Sequence, residues 1–452
     1  MTFAVVLGSV CLVSFRAASA EIEPTRLFVQ NNRPVAQMAF NQVDLSLTFD
    51  VQKQQTHGYA WIDFTAHAAG NPFLLMKAPV DSIKLDGESV SFESVTVAKD
   101  TAPLIIWREL EPETRHTLVI EYHLDSDTVG YSGGGVQFLT AMGDLQWGNF
   151  FEDFGPTSYE DDHYGMTLEL VVEGSTKTHR LFTNGTETSN CGSRWTVNFS
   201  DRSNSSTFFV HLTSKTMRVR RGTYHGLDRD IPWVIYSTSR LMTWMGARRI
   251  EKHLSELERD YGPYFHPAFV ALISGQGGME YPGAAITSIG ALDHEALHSW
   301  FGRGVMPSDG RSGWLDEAVA AWRDNGYPRG TWPPNRAATN LATFSEFERF
   351  TPRNCYSDGS KLMSELDGYF GSHGEATGMK PVLAKWFSLK KGQSVTTEEF
   401  RDYLELVSGE NLHSVFSRYV YGNSSLRDSV VVGQLERGHP PKLTKAEVRE
   451  LR

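Results

Sequence analysis

Four residues in the second half of this chain have the types and spacing to handle a metal ion and a water together. His294-Glu295-Ala296-Leu297-His298 reads H-E-x-x-H. At about 100° per residue, a helix brings the second imidazole to about 40° from the first. Both imidazoles can then share one Zn2+ ion, while Glu295 stands beside the metal within reach of a bound water. Eighteen residues separate His298 from Glu317, which lies in Trp314-Leu315-Asp316-Glu317-Ala318 at the start of another predicted helix. Two imidazoles and one carboxylate are the ligand set of a catalytic zinc that keeps one position open. Each piece also has a plainer reading. A helix can show His and Glu to solvent, and the helix dipole alone favours an acid in a first turn. Taken together, the pieces predict one zinc ion per chain on His294, His298 and Glu317, with Glu295 as general base.

Those side chains need elements to hold them. Thr287 and Ser288 are expected to cap a helix that runs to about Phe301, with Gly302 as its stop. Helices are also expected at about 237–262, where Ile250, Leu254, Leu257 and Tyr261 keep helical spacing, and at about 314–325, 357–371, 380–390, 396–407 and 411–421. FVALISG (269–275) reads as a strand. The front half has a different grammar. VDLSLTFDV (43–51), GYAWIDFTA (58–66), HTLVIEYHL (116–124), MTLELVVEG (166–174) and STFFVHLTS (206–214) alternate apolar and polar residues between Gly-, Asp-, Asn- and Ser-rich turns. The expected fold is therefore an antiparallel β-sandwich or saddle over 21–215, then a mostly helical domain with a small sheet over 216–425, and a polar tail over 426–452.

Composition narrows the partners. The chain has 452 residues, 43 basic against 54 acidic side chains and a net charge of −11. No basic surface for phosphate backbones follows from that balance, which argues against nucleic acid. Three cysteines are too few for a Cys-based zinc module or a disulfide scaffold, so any metal must rest on histidine and carboxylate. Residues 3–15 form an apolar run, and Ala18-Ser19-Ala20 is an A-x-A cleavage site. Residues 1–20 read as a secretory signal despite an n-region without Lys or Arg, which predicts a secreted or periplasmic protein with no later membrane span. Cleavage would leave Cys191 and Cys355, either bridged or as two free thiols. Asn184, Asn198, Asn204 and Asn423 each head an N-x-S/T sequon.

With these residues in view, the sequence resembles the gluzincin zinc aminopeptidases of the aminopeptidase N type. His298-Ser299-Trp300-Phe301-Gly302 is similar to that family's H-Q-W-F-G, and Trp314-Leu315-Asp316-Glu317-Ala318 to its W-L-N-E-G. Gly277-Gly278-Met279-Glu280-Tyr281 resembles the exopeptidase G-x-M-E-N, and Tyr356-Ser357-Asp358-Gly359 the Y-x-K-G of the catalytic tyrosine. The front half, with Phe182-Thr183-Asn184-Gly185, is similar to the family's N-terminal domain. The resemblance implies a thermolysin-like catalytic domain and peptides with a free N-terminus as substrates. It also implies Tyr356 as donor to the oxyanion, and Gly277, Gly278, Met279 and Glu280 as substrate-binding, with Glu280 on the α-amino group. Four features depart from the pattern: Tyr281 replaces Asn, the stretch from Glu280 to His294 is much shorter than is usual in the family, Asp358 replaces Lys, and the large helical C-terminal domain of many members is missing. Two other readings stand beside removal of N-terminal residues. One is a gluzincin that cleaves internally or acts on other substrates, and the other is a non-catalytic β-rich binding protein with a degenerate metal site.

Overall fold

The computed structural model describes residues 25–98, 101–143, 150–275, 278–342, 345, 347–372 and 378–423. The expected signal at 1–20 and the tail from 426 lie outside the described residues, as does Gly277. Alternation builds the front half. In strand Ala39–Asp50, Val43, Leu45, Leu47 and Phe49 point inward and are buried. It pairs with Gln55–Ala66, which pairs in turn with Thr114–Leu124, at the centre of an eight-stranded sheet. Where Tyr122 faces Gly58, a Cβ on the glycine would stand 2.1 Å from the phenol ring, so only glycine lets the ring cross the neighbouring strand. A five-stranded and a four-stranded sheet complete this half.

Most neighbours in these sheets pair antiparallel, as expected, and the four-stranded sheet does so throughout, while two pairs run parallel. Gly165–Glu173 runs parallel to Ala39–Asp50, and Asn71–Leu75 parallel to Arg33–Gln37. Parallel neighbours need a long return path, and here more than a hundred residues of chain separate the first pair.

The second half opens on a five-stranded sheet, in spatial order Arg218–His225, Asp230–Ser237, Phe269–Ile273, Ala284–Thr287 and Gly278–Tyr281. Among the described residues seven helices accompany it: α1 (Arg240–Tyr261), α2 (Leu292–Leu297), α3 (Trp314–Asp324), α4 (Asp358–Ser372), α5 (Met379–Lys390), α6 (Thr397–Ser408) and α7 (His413–Tyr419). Ser239 caps α1 by accepting the Met242 N–H, and Gly262 at φ +97° ends it. Ile250, Leu254, Leu257 and Tyr261 form its buried stripe.

The helix carrying H-E-x-x-H is shorter than its sequence predicts. Thr287 belongs to a strand, paired with Gly278, and the Ser288 hydroxyl accepts the Ala291 N–H to turn the chain into α2. The sheet claims Ala-Ala-Ile-Thr before any helix can. Past Leu297 the chain tightens and then turns: the Trp300 N–H bonds Leu297 O, three residues back, at 2.8 Å, and the Arg303 N–H bonds His298 O, five residues back, at 2.8 Å.

Cys191 is exposed and Cys355 buried, and no disulfide joins the two. Two sequons serve the interior. The Asn184 amide bonds Thr207 O and Pro282 O, tying the two halves together, and Asn204 is fully buried. No helix among the described residues is long and apolar enough to cross a membrane.

Candidate metal centre and the cleft around it

Packing fixes the two helices that meet at the centre. Ala296, Leu297 and Trp300 are fully buried, and the Trp300 indole N–H donates to Gly262 O at 3.0 Å, pinning the turn after α2 to the end of α1. At the start of α3, the buried Trp314 indole donates to Thr397 Oγ1 at 3.0 Å. His294 leaves α2 and His298 its C-cap, with ring centroids 4.9 Å apart. Glu317, in the first turn of α3, reaches across: its Oε2 lies 3.3 Å from His294 Nε2 and 3.9 Å from His298 Nε2.

The other ring nitrogens are occupied. His294 Nδ1 lies 2.6 Å from Asp324 Oδ2, and His298 Nδ1 lies 3.0 Å from Phe301 O. These acceptors place the ring protons on Nδ1 and turn both Nε2 lone pairs toward Glu317. His298 Nε2 and Glu317 Oε2 are buried and have no hydrogen-bond partner, a costly state for polar atoms without a cation between them. Donor atoms of His294, His298 and Glu317 lie within 4.8 Å of one another. The set fits a zinc ion in ligand type, number and outer-sphere support.

The charges tell the same story. Burial disfavours a charged His294, but Asp324 and Glu317 outweigh it and raise its pKa to about 11. Burial likewise works against a charged Glu317, yet the two imidazoles and Tyr356 hold it below the usual carboxylate range. With a cation between the donors both imidazoles are neutral and offer Nε2 lone pairs; without one, a second proton on His294 takes its place beside Glu317.

Around this centre the other expected residues fall in different places. Glu295 is buried on α2, and a Cβ on Gly278 would stand 1.8 Å from its Oε1, so the carboxylate lies against the edge strand only because residue 278 is glycine. Met279 points the opposite way, into the core of the front half, because successive strand residues alternate. Its side chain is structural rather than a lining of the cleft. The Tyr356 hydroxyl donates to Glu317 Oε1 at 2.5 Å, and its ring stacks 6.2 Å from that of His294. The glycine that follows explains the approach: a Cβ on Gly359 would lie 2.8 Å from Ala318 Cβ, so α4 crosses α3 closely there. Asp358 pairs locally with Lys361 at 3.3 Å. Tyr281 is turned away from the cleft, donating to Thr140 O at 2.6 Å and accepting the Met142 N–H at 3.0 Å.

Glu280 does not stand open. Arg303 Nη2 lies 2.6 Å from its Oε1, and Arg303 Nε donates to its carbonyl at 3.2 Å. Sequence reasoning missed Arg303, Asp316 and Asp324. Asp324 was within reach, since it lies seven positions beyond Glu317 on the same face of α3. Arg303 carries no local signal.

No protein-family model matches the chain, and no curated protein sequence matches it. Solved structures do. Leukotriene A4 hydrolase from Saccharomyces cerevisiae superposes with a TM-score of 0.60 at 14% identity, covering 90% of this chain and 69% of that one. The M1 zinc metallopeptidase of Deinococcus radiodurans gives 0.59 at 16%, covering 81% and 90%. A mutant of that enzyme bound to a Tyr-Ser-Ala substrate gives 0.59 at 15%, covering 86% and 95%. At these identities the likeness is one of architecture: the chain has the β-rich plus helical two-domain fold of the M1 zinc metallopeptidases.

Proposed function

We propose that this chain, built on that fold, is a zinc-dependent metallopeptidase that hydrolyses peptide bonds. The observation that carries the reading is the convergence of His294, His298 and Glu317, with both Nδ1 atoms engaged from outside and His298 Nε2 and Glu317 Oε2 lacking hydrogen-bond partners. Zinc on such donors supplies Lewis acidity and acidifies water. Glu295, one position from His294 and held against Gly278, takes the proton of the attacking water and returns one to the leaving amine. The phenol of Tyr356 turns from Glu317 Oε1 to donate to the developing oxyanion. The β-rich 21–215 and the helical 216–425 are read as the two folding units, and the segment 1–20 as an address for a secreted or periplasmic enzyme.

One finer reading is removal of N-terminal residues. It is supported by the Gly278-Met279-Glu280 run beside the centre and by the Deinococcus radiodurans mutant bound to Tyr-Ser-Ala. Cleavage of internal bonds is the second reading, favoured by the Arg303–Glu280 pair. The test combines metal analysis with a panel of free and N-acetylated aminoacyl amides and peptides, assayed with and without a chelator. Glu295→Gln is expected to retain one zinc per chain while kcat falls at least about 10³-fold, and His294→Ala to lose the metal. A Glu295→Gln enzyme with native turnover would end the water-activation scheme. Absence of zinc-dependent turnover in the native protein would favour a non-catalytic binding protein.

A further inference from the structure

The carboxylate of Glu280 lies on the face of its edge strand that turns toward α2, the same face as Gly278. One of its oxygens comes within 4.8 Å of a donor atom of His298 and of Asp316. A buried carboxylate this close to the metal ligands would hold a cation strongly, because little water screens it. The chain supplies that cation itself. Arg303 sits five positions past His298, its N–H bonded to His298 O at 2.8 Å, so the tightened turn after α2 aims its side chain at the strand. Arg303 and Glu280 are 5% and 4% exposed, which leaves the pair almost no solvent to exchange with. Nη2 meets Oε1 at 2.6 Å, Nε meets the Glu280 carbonyl at 3.2 Å, and Nη1 meets Gly302 O at 3.1 Å. Three contacts from one planar fork hold the guanidinium in place.

We propose that Arg303 occupies the place of a substrate ammonium beside Glu280, so that the cleft selects peptides presenting no charged amine there: internal bonds and N-blocked chains. The proposal rests on the metallopeptidase reading above and deepens it. A second cation brought to Glu280 meets a carboxylate whose charge is already balanced and a guanidinium that repels it. Displacing Arg303 instead strands a buried guanidinium without its partner. Nor does the neighbouring residue help to bind an amine. The Tyr281 hydroxyl is spent on Thr140 and Met142 of the front half. Asp316 accepts the Glu317 N–H at 2.6 Å and stands near Gly302 on the Nδ1 side of His298.

The experiment measures kcat/KM of the zinc-loaded enzyme on an oligopeptide of about ten residues, offered with a free and with an acetylated amino terminus, and locates the cut by mass spectrometry. The native enzyme is expected to cut internal bonds with a free-to-acetylated ratio within about threefold of one. Arg303→Gln removes the charge and is expected to shift that ratio at least about tenfold toward the free amine, while Arg303→Lys keeps it near native. A general loss of folding would lower both rates and leave the ratio unmoved. The native measurement stands whether or not a variant folds. A native preference above about tenfold for the free amine, with sequential release of N-terminal residues, would overturn the proposal while leaving the metallopeptidase reading intact. An unshifted ratio in an active, folded Arg303→Gln enzyme would overturn it as well. Absence of any chelator-sensitive cleavage would sink the underlying reading and the proposal with it.

Discussion

At His294 the outer nitrogen meets Asp324 Oδ2 at 2.6 Å and the inner one faces Glu317 Oε2 at 3.3 Å. Asp324 thus orients the ring and raises its basicity without touching the metal position. Asp324→Ala is expected to weaken zinc binding about 10–100-fold, read by competition against a chelator of known affinity, with the fold unchanged by circular dichroism. Unaltered affinity would show that α2 alone fixes the ring. A second histidine makes a pH prediction. His211 is buried, with Nδ1 3.0 Å from the Tyr236 hydroxyl, and burial lowers its pKa to about 4. An unfolded chain takes up that proton near 6.5. The stability it lends is complete above about 6.5 and is lost as pH falls toward about 4, about 3 kcal/mol in all. Melting temperature is expected to fall more steeply over that window in the native protein than in His211→Gln. At this scale the sequence was most legible where spacing is local, as in His294, Glu295 and His298. Tyr356 was found by resemblance alone, and its bond to Glu317 was not foreseeable.

Helix α2 and the edge strand Gly278–Tyr281 meet across a gap that admits no side chain at residue 278. Gly278→Ala would press a methyl into the Glu295 carboxylate, so either the strand or the general base must move. Turnover is expected to drop at least about tenfold with zinc retained, since the donors lie on α2 and α3 and not on the strand. Native kcat in this variant would mean that the Glu295 position is more forgiving than the packing implies. Helix periodicity located α1 and α3 to α7 within a few residues of where they lie. It failed at α2, where Thr287, the last residue of a strand, was read as part of a helix cap. A short strand with one polar face carries the same letters as a helix cap, and only its pairing to Phe269–Ile273 and Gly278–Tyr281 settles which forms.

One hydrophobic core spans the two halves, since Tyr236, Leu272, Met279 and Tyr281 of the second sheet pack with the front-half strands and Phe182 stacks on Tyr236 at 3.8 Å, while the helices close a second core of their own. Arg349 adds a buried charged lock. It reaches from the second half to Glu152 and Glu160 of the first, with Nε 3.0 Å from Glu160 Oε1, and lies 4.0 Å from the centroid of the Phe150 ring. Arg349→Met leaves the buried Glu152 with Lys77 alone and takes the guanidinium from the half-buried Glu160, and is expected to cost about 3 kcal/mol, measured by urea denaturation; a loss below about 1 kcal/mol would mean that water reaches the carboxylates. Sequence by itself determined the donor types, their helical spacing and the change from β to helical grammar, because each is written in a period of two to four residues that any local window contains. Only the tertiary structure decided which cation stands beside Glu280, what Tyr281 braces and why Tyr356 reaches Glu317. Those contacts join residues 23, 141 and 39 positions apart. Their partners are chosen by how sheets and helices stack, and no local period records that choice.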